Sequence, residues 1–180
     1  MEVRELKGGE ARACLPALAE VLLDCVQGGA SVSFMHGLTR REAERFFEEC
    51  VEKAQQGRRV LLGAFTGDEL TGTVQAVWSP APNQPHRADI AKLLVRRSAR
   101  GQGVARALMS AVESACLRAG KWLLVLDTVA GDPAERLYLA TGWRKAGVIP
   151  NYALYPDGRY CDTTVLYKDL RDGGTRDEAS

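Results

Sequence analysis

Apolar positions recur along the chain with two periods, and each change of period marks a new element. Residues 3–7, VRELK, read as a short first strand. Ala11, Cys14, Leu15, Leu18, Val21, Leu22, Cys25 and Val26 then repeat at helical spacing and predict a first helix, ended by Gly28-Gly29. Residues 28–38, GGASVSFMHGL, form a loop with Phe34 and Met35 set among small residues. Thr39 and Glu42 make a capping-box pair ahead of Ala43, Phe46, Phe47, Cys50 and Val51, a second helix closed by Gly57. Residues 60–65 and 70–78, joined by TGDE, predict an antiparallel hairpin.

A proline-rich loop, 79–86, precedes the strand DIAKLLV, 89–95. Val104, Leu108, Ala111, Val112, Ala115 and Ala119 mark one face of a third helix. KWLLVLDT, 121–128, is a continuous apolar strand of the kind buried on both faces. The strand–helix–strand order from 89 to 127 requires a right-handed crossover between two parallel neighbours. Asp132-Pro133 caps and starts a fourth helix through Tyr138 to Ala140, ended by Gly142. Residues 143–149 and 161–168 predict a last strand pair, with the turn-rich, aromatic PNYALYPDGRY between them. The sum is an α/β domain, a mixed and mostly antiparallel sheet of about seven strands flanked by about four helices. It spans residues 1–170, with 171–180 expected to form a flexible tail.

Composition narrows the function by exclusion. The chain has 180 residues, 46% hydrophobic, and a formal net charge of +1. That balance gives no reason to expect nucleic acid as a partner. Apolar runs fall far short of the roughly 18 residues of a membrane span, and the start lacks the cationic and apolar pattern of a signal peptide. A cytoplasmic protein is expected. Cys14, Cys25, Cys50, Cys116 and Cys161 are odd in number, far apart and free of any CxxC pair, so reduced thiols are expected. His36 and His86 are not spaced as metal ligands, and no metal is expected.

One stretch carries chemistry. RRSARGQGVARAL, 96–108, sets three arginines and two glycines between a strand and an amphipathic helix, with Arg106 in the helix's first turn. A dinucleotide fingerprint needs GxGxxG near the N-terminal strand and an acid about 20 residues on. A phosphate-binding P-loop needs GxxxxGK[ST], which is absent. What fits is a turn whose successive N–H groups face a pyrophosphate, backed by the helix's positive end. Arg96, Arg97, Arg100 and Arg106 then add charge at the rim. The alternative is an ordinary strand-to-helix turn with solvated arginines.

Arg100, Gly101, Gln102, Gly103, Val104 and Ala105, followed later by Leu137, Tyr138, Gly142 and Trp143, make the chain resemble the GNAT superfamily of acyl-CoA-dependent N-acetyltransferases. The element order is similar to that fold from about residue 3 to 168. Within the superfamily, GGASVSFM (28–35), SARGQG (98–103), LDTVAG (126–131) and YPDG (155–158) resemble the tabtoxin resistance acetyltransferases. The chain departs from the superfamily pattern at Arg97, where proline is usual, and at Gly131, where asparagine is usual.

The resemblance implies a sheet whose parallel central pair splays apart and acetyl-CoA as the acyl donor. It places Leu93 and Val95 beside the pantetheine arm and residues Arg100 to Ala105 around the pyrophosphate. A strand N–H near Ala91 or Lys92 becomes the oxyanion donor. Asp89 lies about 13 Å upstream of Leu93 by strand rise. Alternation puts it on the face of Ala91, Leu93 and Val95, as a general base or as the partner of Arg87 or Lys92. Asp127 ends a parallel strand, where such sheets place ligands. It binds the substrate ammonium, relays its proton, or caps the following turn. Tyr138 protonates the departing thiolate, or else is core. Phe34, Met35 and Tyr152 cover the acceptor. The acids favour an amine-bearing small molecule, as in protection against an amino-acid-like toxin or an antibiotic. The rivals are an acyl-CoA-binding regulatory module and a protein N-acetyltransferase. A monomer or a homodimer fits either.

Overall fold

The computed structural model describes residues 1–171. The expected tail, apart from Arg171, lies outside them. Strands β1 (Glu2–Glu5), β2 (Arg59–Thr66), β3 (Glu69–Trp78), β4 (Arg87–Val95), β5 (Leu123–Val129), β6 (Arg144–Leu154) and β7 (Tyr160–Asp169) form one sheet in the order β1-β2-β3-β4-β5-β7-β6. Only β4 and β5 run parallel among these neighbours. Helices α1 (Gly8–Ala13), α2 (Leu15–Gln27) and α3 (Arg40–Gln55) cover one face, and α4 (Val104–Arg118) and α5 (Pro133–Ala140) lie on the other.

Two cores follow from this layering. On the first face Leu18, Leu22, Phe47 and Val51 pack against Leu61, Phe65, Leu70 and Leu94. On the second Val104, Leu108, Met109 and Val112 pack against Leu62, Val74, Ile90, Leu124 and Leu126. Leu22, Leu61, Leu108 and Leu124 are fully buried, each contributing about 2 kcal/mol by area removed from water.

Four expectations are corrected. The single helix over 11–26 is two. Pro16 sits in the first turn of α2, where its missing N–H costs nothing, and α1 stops at Ala13. The last loop is shorter than expected, because β6 runs on to Leu154. Ile149 registers with Thr163 and Ala153 with Cys161, so Pro150, Asn151 and Tyr152 oppose one residue in a bulge. There Asn151 takes a φ of 51°, and the Asp162 carboxylate accepts its N–H at 2.9 Å.

The third correction concerns β5, which is not buried on both faces. Leu124 and Leu126 are buried, whereas Asp127 on the alternate side is exposed. The fourth concerns β4. Leu94 pairs with Thr73 and Ala91 with Gln75, so Lys92 and Leu93 oppose the single Val74. This bulge, with Lys92 at φ 53°, resets the alternation. Leu93 and Val95 therefore join Ala88 and Ile90 on the α4 face, while Asp89 and Ala91 face the α3 side.

Candidate active site

The centre of the sheet comes apart by design of the register. Residues Arg87, Ala88 and Asp89 pair with Leu123, Leu124 and Val125, and there the β4–β5 ladder ends. Beyond it the β4 backbone from Ile90 onward faces no strand on that side. An arm bearing amide groups fits such an edge, since backbone N–H and C=O groups need partners.

At the far end of β4 the chain passes through a 3-10 turn, Arg97–Ala99, into the glycine turn. Gly101 and Gly103 have φ of 77° and 82°, and a Cβ at either would meet nothing within 4 Å. Glycine is demanded there by backbone conformation, not by crowding. Gly103 is the N-cap of α4, and no side chain closes that helix end. A cleft of about 240 Å³ opens there, lined by Val95, Ala99, Arg100, Gly101, Gly103, Val104, Ala105, Arg106 and Leu137. Uncapped N–H groups, the positive helix end and Arg106 beside them fit a pyrophosphate.

The arginines divide. Arg96 donates to Glu20 at 3.0 Å and to the Leu70 carbonyl at 2.9 Å. Arg97 donates to Asp24 through its backbone N–H at 2.7 Å and its side chain at 2.8 Å. These two tie the turn to α2, Arg96 largely buried and Arg97 about half exposed, and neither lines the cleft. Arg100 donates to the Val95 carbonyl at 3.3 Å, and it and Arg106 are the exposed cations of the cleft. Gln102 stiffens the turn by donating to the Ser98 carbonyl at 3.0 Å. Leu93 packs against the α4-side core outside the cleft.

Tyr138 is 6% exposed, with its ring 5.9 Å from that of Trp143. Its helix is anchored by Glu135, whose carboxylate accepts from the Gly131 N–H, from Thr164 at 2.9 Å and from Lys145 at 3.2 Å. Burial, then the carboxylates of Asp127 and Asp132, push the Tyr138 phenol far above its ordinary pKa. The group stays protonated and is able to donate.

The two acids differ sharply. Asp89 accepts from Arg87 at 2.6 Å, one of the two partners weighed for it. The carboxylate of Asp127, two residues past Asp89's register partner Val125, makes no hydrogen bond or ion pair among the described residues. Its charge reaches both Tyr138 on one side of the gap and Lys92 on the other. It does not cap the following turn; Asp132 does that, accepting from Ala134 at 2.9 Å.

On the α3 side, Phe34 meets Phe46 edge to face at 5.2 Å. Met35 and Tyr152 are 44% and 57% exposed. The 28–38 loop is fastened to the β6–β7 hairpin, since Ser31 donates to the Leu154 carbonyl at 2.7 Å and His36 N–H to that of Pro156 at 3.1 Å. All five cysteines are free thiols. Among the described residues no three His, Cys, Asp or Glu side chains gather as a metal site, and no helix is long and apolar enough to cross a membrane.

Sequence reasoning missed Leu137 as a wall of the cleft and the Lys92 side chain set beside Ser33, Phe34 and Phe46. A lone cation inside the apolar run DIAKLLV was the available signal for the second.

Solved structures share this architecture. The ribosomal-protein-alanine N-acetyltransferase of Brucella melitensis superimposes with a TM-score of 0.79 at 20% identity, over 94% of this chain and 100% of that one. YncA of Salmonella typhimurium, a putative acetyltransferase solved with its cofactor acetyl-CoA, gives 0.78 at 19% identity, over 100% and 96%. Aminoglycoside 6'-acetyltransferase type Ii gives 0.69 at 20% identity, over 94% and 97%. The model of the Acetyltransferase (GNAT) family matches residues 23–143, which include the gap, the glycine turn, Asp127 and Tyr138. With a match over more than half its length, the chain belongs to the GNAT acetyltransferase family and is an acetyl-CoA-dependent N-acetyltransferase.

Proposed function

We propose that the acceptor is the amine of a small molecule, held and deprotonated by Asp127, with Tyr138 as the proton donor to the leaving sulfur. The observation that carries this reading is the unpartnered Asp127 carboxylate at the mouth of the β4–β5 gap, within electrostatic reach of Tyr138. Acetyl-CoA, when bound, supplies an acetyl group activated as a thioester. This chain's residues do the rest. Asp127 holds the ammonium and takes its proton, so that the nitrogen bonds the acetyl carbon as the carbon–sulfur bond breaks. The phenol of Tyr138, kept neutral by burial, gives its proton to the sulfur, and the second proton shed by the acylated nitrogen restores the phenol. An N–H of β4 near Ala91 or Lys92 faces the developing oxyanion.

Asp89, first in line as a base by position, has its charge engaged by Arg87, and the arrangement favours Asp127 for that role. The fastened 28–38 loop favours a small acceptor over a peptide lying in an open groove. The structural neighbours are named for acceptors as different as a ribosomal-protein alanine and an aminoglycoside, so likeness of fold does not choose among them. The similarity of GGASVSFM and LDTVAG to the tabtoxin resistance acetyltransferases leads us to a protective role against an amino-acid-like toxin.

Steady-state and single-turnover kinetics test the assignment. Tyr138→Phe is expected to lower kcat by about 100-fold, the scale of acid–base assistance, with acetyl-CoA affinity unchanged. Asp127→Asn is expected to lower kcat and raise the acceptor KM, and Asp89→Asn to do less of both. A Tyr138→Phe enzyme with wild-type kcat returns the tyrosine to a packing role.

A further inference from the structure

Behind the acceptor loop the sheet carries more hydrogen-bond donors than the protein itself satisfies. Lys92 projects from the β4 bulge with most of its side chain out of water. Its Nζ donates to Ser33 Oγ at 2.9 Å and lies 5.8 Å from the ring centroids of Phe34 and Phe46. Among the described residues no carboxylate comes within ion-pair distance of it. Ser33, its one partner, is held at a φ of 75°, a conformation few side chains adopt.

The adjacent Ala91 registers with Gln75, which is 1% exposed. Arg59 Nη1 donates to Gln75 Oε1 at 2.6 Å, and this fixes which way the amide points. Gln75 Nε2 and Arg59 Nε are both buried without a partner. Cys50 Sγ accepts from Arg59 at 3.2 Å, and Lys92 follows Ala91, the register partner of Gln75, so the three polar side chains belong to one stretch of the sheet. The surplus has one sign. An ammonium, an amide N–H and a guanidinium N–H gather with no anion among them, and buried donors left this way call for an acceptor.

A water satisfies an amide, but it does not neutralise an ammonium. The group that answers the ammonium is a carboxylate. Asp127 supplies the other half of the pattern. Its charge is felt at Lys92, yet the two are not paired. An ammonium and a carboxylate on one small molecule are complementary to a carboxylate and an ammonium set apart in this way.

We propose that Lys92 is a specificity residue that docks a carboxylate of the acceptor, so that the acceptor is an amino acid or an amino-acid-like compound. This rests on the reading in which Asp127 holds the amine. The test uses the protein L-amino acids and their carboxamides as acceptors, with acetyl-CoA binding followed separately by calorimetry. The wild-type enzyme is expected to favour an amino acid over its carboxamide by at least about tenfold in kcat/KM. Lys92→Met is expected to erase that preference, chiefly through KM, and Lys92→Arg to restore part of it, while thermal melts confirm that both variants fold. Carboxamides accepted as well as amino acids, a preference that survives in Lys92→Met, or an enzyme that binds acetyl-CoA but takes no carboxylate-bearing amine each overturn the proposal. An enzyme that favours carboxylates through Lys92 but is unaffected by Asp127→Asn overturns the amine assignment and leaves the Lys92 site standing. Failure to bind acetyl-CoA removes the cofactor reading beneath both.

Discussion

The starts of α3 and α4 meet the same shortage of partners in opposite ways. Every helix begins with N–H groups that have no acceptor of their own. At α3 the chain closes the shortage itself. Thr39 Oγ1 accepts from the Glu42 N–H at 3.3 Å, and Glu42 Oε2 accepts from the Thr39 N–H at 2.8 Å. At α4 the N-cap is Gly103, no side chain caps the end, and the first turn borders a cleft. A helix start completed by its own residues belongs to the fold. One left incomplete beside a cavity belongs to the ligand, and its sequence is chosen for what it leaves open.

Substitution at the open end is expected to have the largest effect. Gly103→Val forces a β-branched residue into a left-handed conformation and sets a side chain where the anion approaches. Acetyl-CoA affinity by calorimetry is expected to fall at least about tenfold, or 1.4 kcal/mol. A folded variant with unchanged affinity would erase the distinction between the two helix starts.

The closed end is expected to answer in stability alone. Thr39→Ala should cost about 1 kcal/mol in denaturant unfolding, with acetyl-CoA affinity untouched. Its pH dependence sharpens the point. Hydrogen bonds from the Thr39 side chain and backbone hold the Glu42 carboxyl below its usual pKa. A depressed pKa stabilises the fold above the unfolded value and ceases to do so as pH falls through the folded one. The gap between wild type and Thr39→Ala should therefore be full at neutral pH and narrow below about pH 4. A gap that widens in acid would contradict the capping box.

The smallest effect belongs to Arg106, an exposed cation beside the open end. Arg106→Gln is expected to weaken acetyl-CoA binding about threefold at low salt and less at high salt, as screening removes a surface charge's advantage. A loss larger than that of Gly103→Val would shift the anion site from backbone to side chain.

Local signals made most of the architecture legible before any coordinates. Thr39 and Glu42, Asp132-Pro133, Gly28 and Gly57 punctuate the chain through rules that act over a few residues. The crossover between β4 and β5 followed from element order alone. What stayed hidden was set by non-local pairing. The reset in β4 exists because two residues oppose Val74 on β3, and nothing within DIAKLLV announces it. The open face of β5 depends on where the β4 ladder stops. At the site, the glycine turn and Tyr138 were readable as motifs. Arg87 was in view as a partner of Asp89, and the sequence did not choose it over Lys92 or over a free base. The placement of Lys92 beside Phe34 and Phe46 was not legible, because it depends on which side chains the bulge turns to which face.

That extra residue in β4 gives the strand something like a reading frame of two. Before it, odd-numbered positions look toward α3; after it, odd-numbered Leu93 and Val95 look toward α4. Deleting either Lys92 or Leu93 would leave nearly every side chain chemically intact and still present the second half of the strand inside out. Loops on either flank can change length freely over generations. This strand cannot gain or lose a single position without exchanging the face packed on α4 for the face turned toward α3.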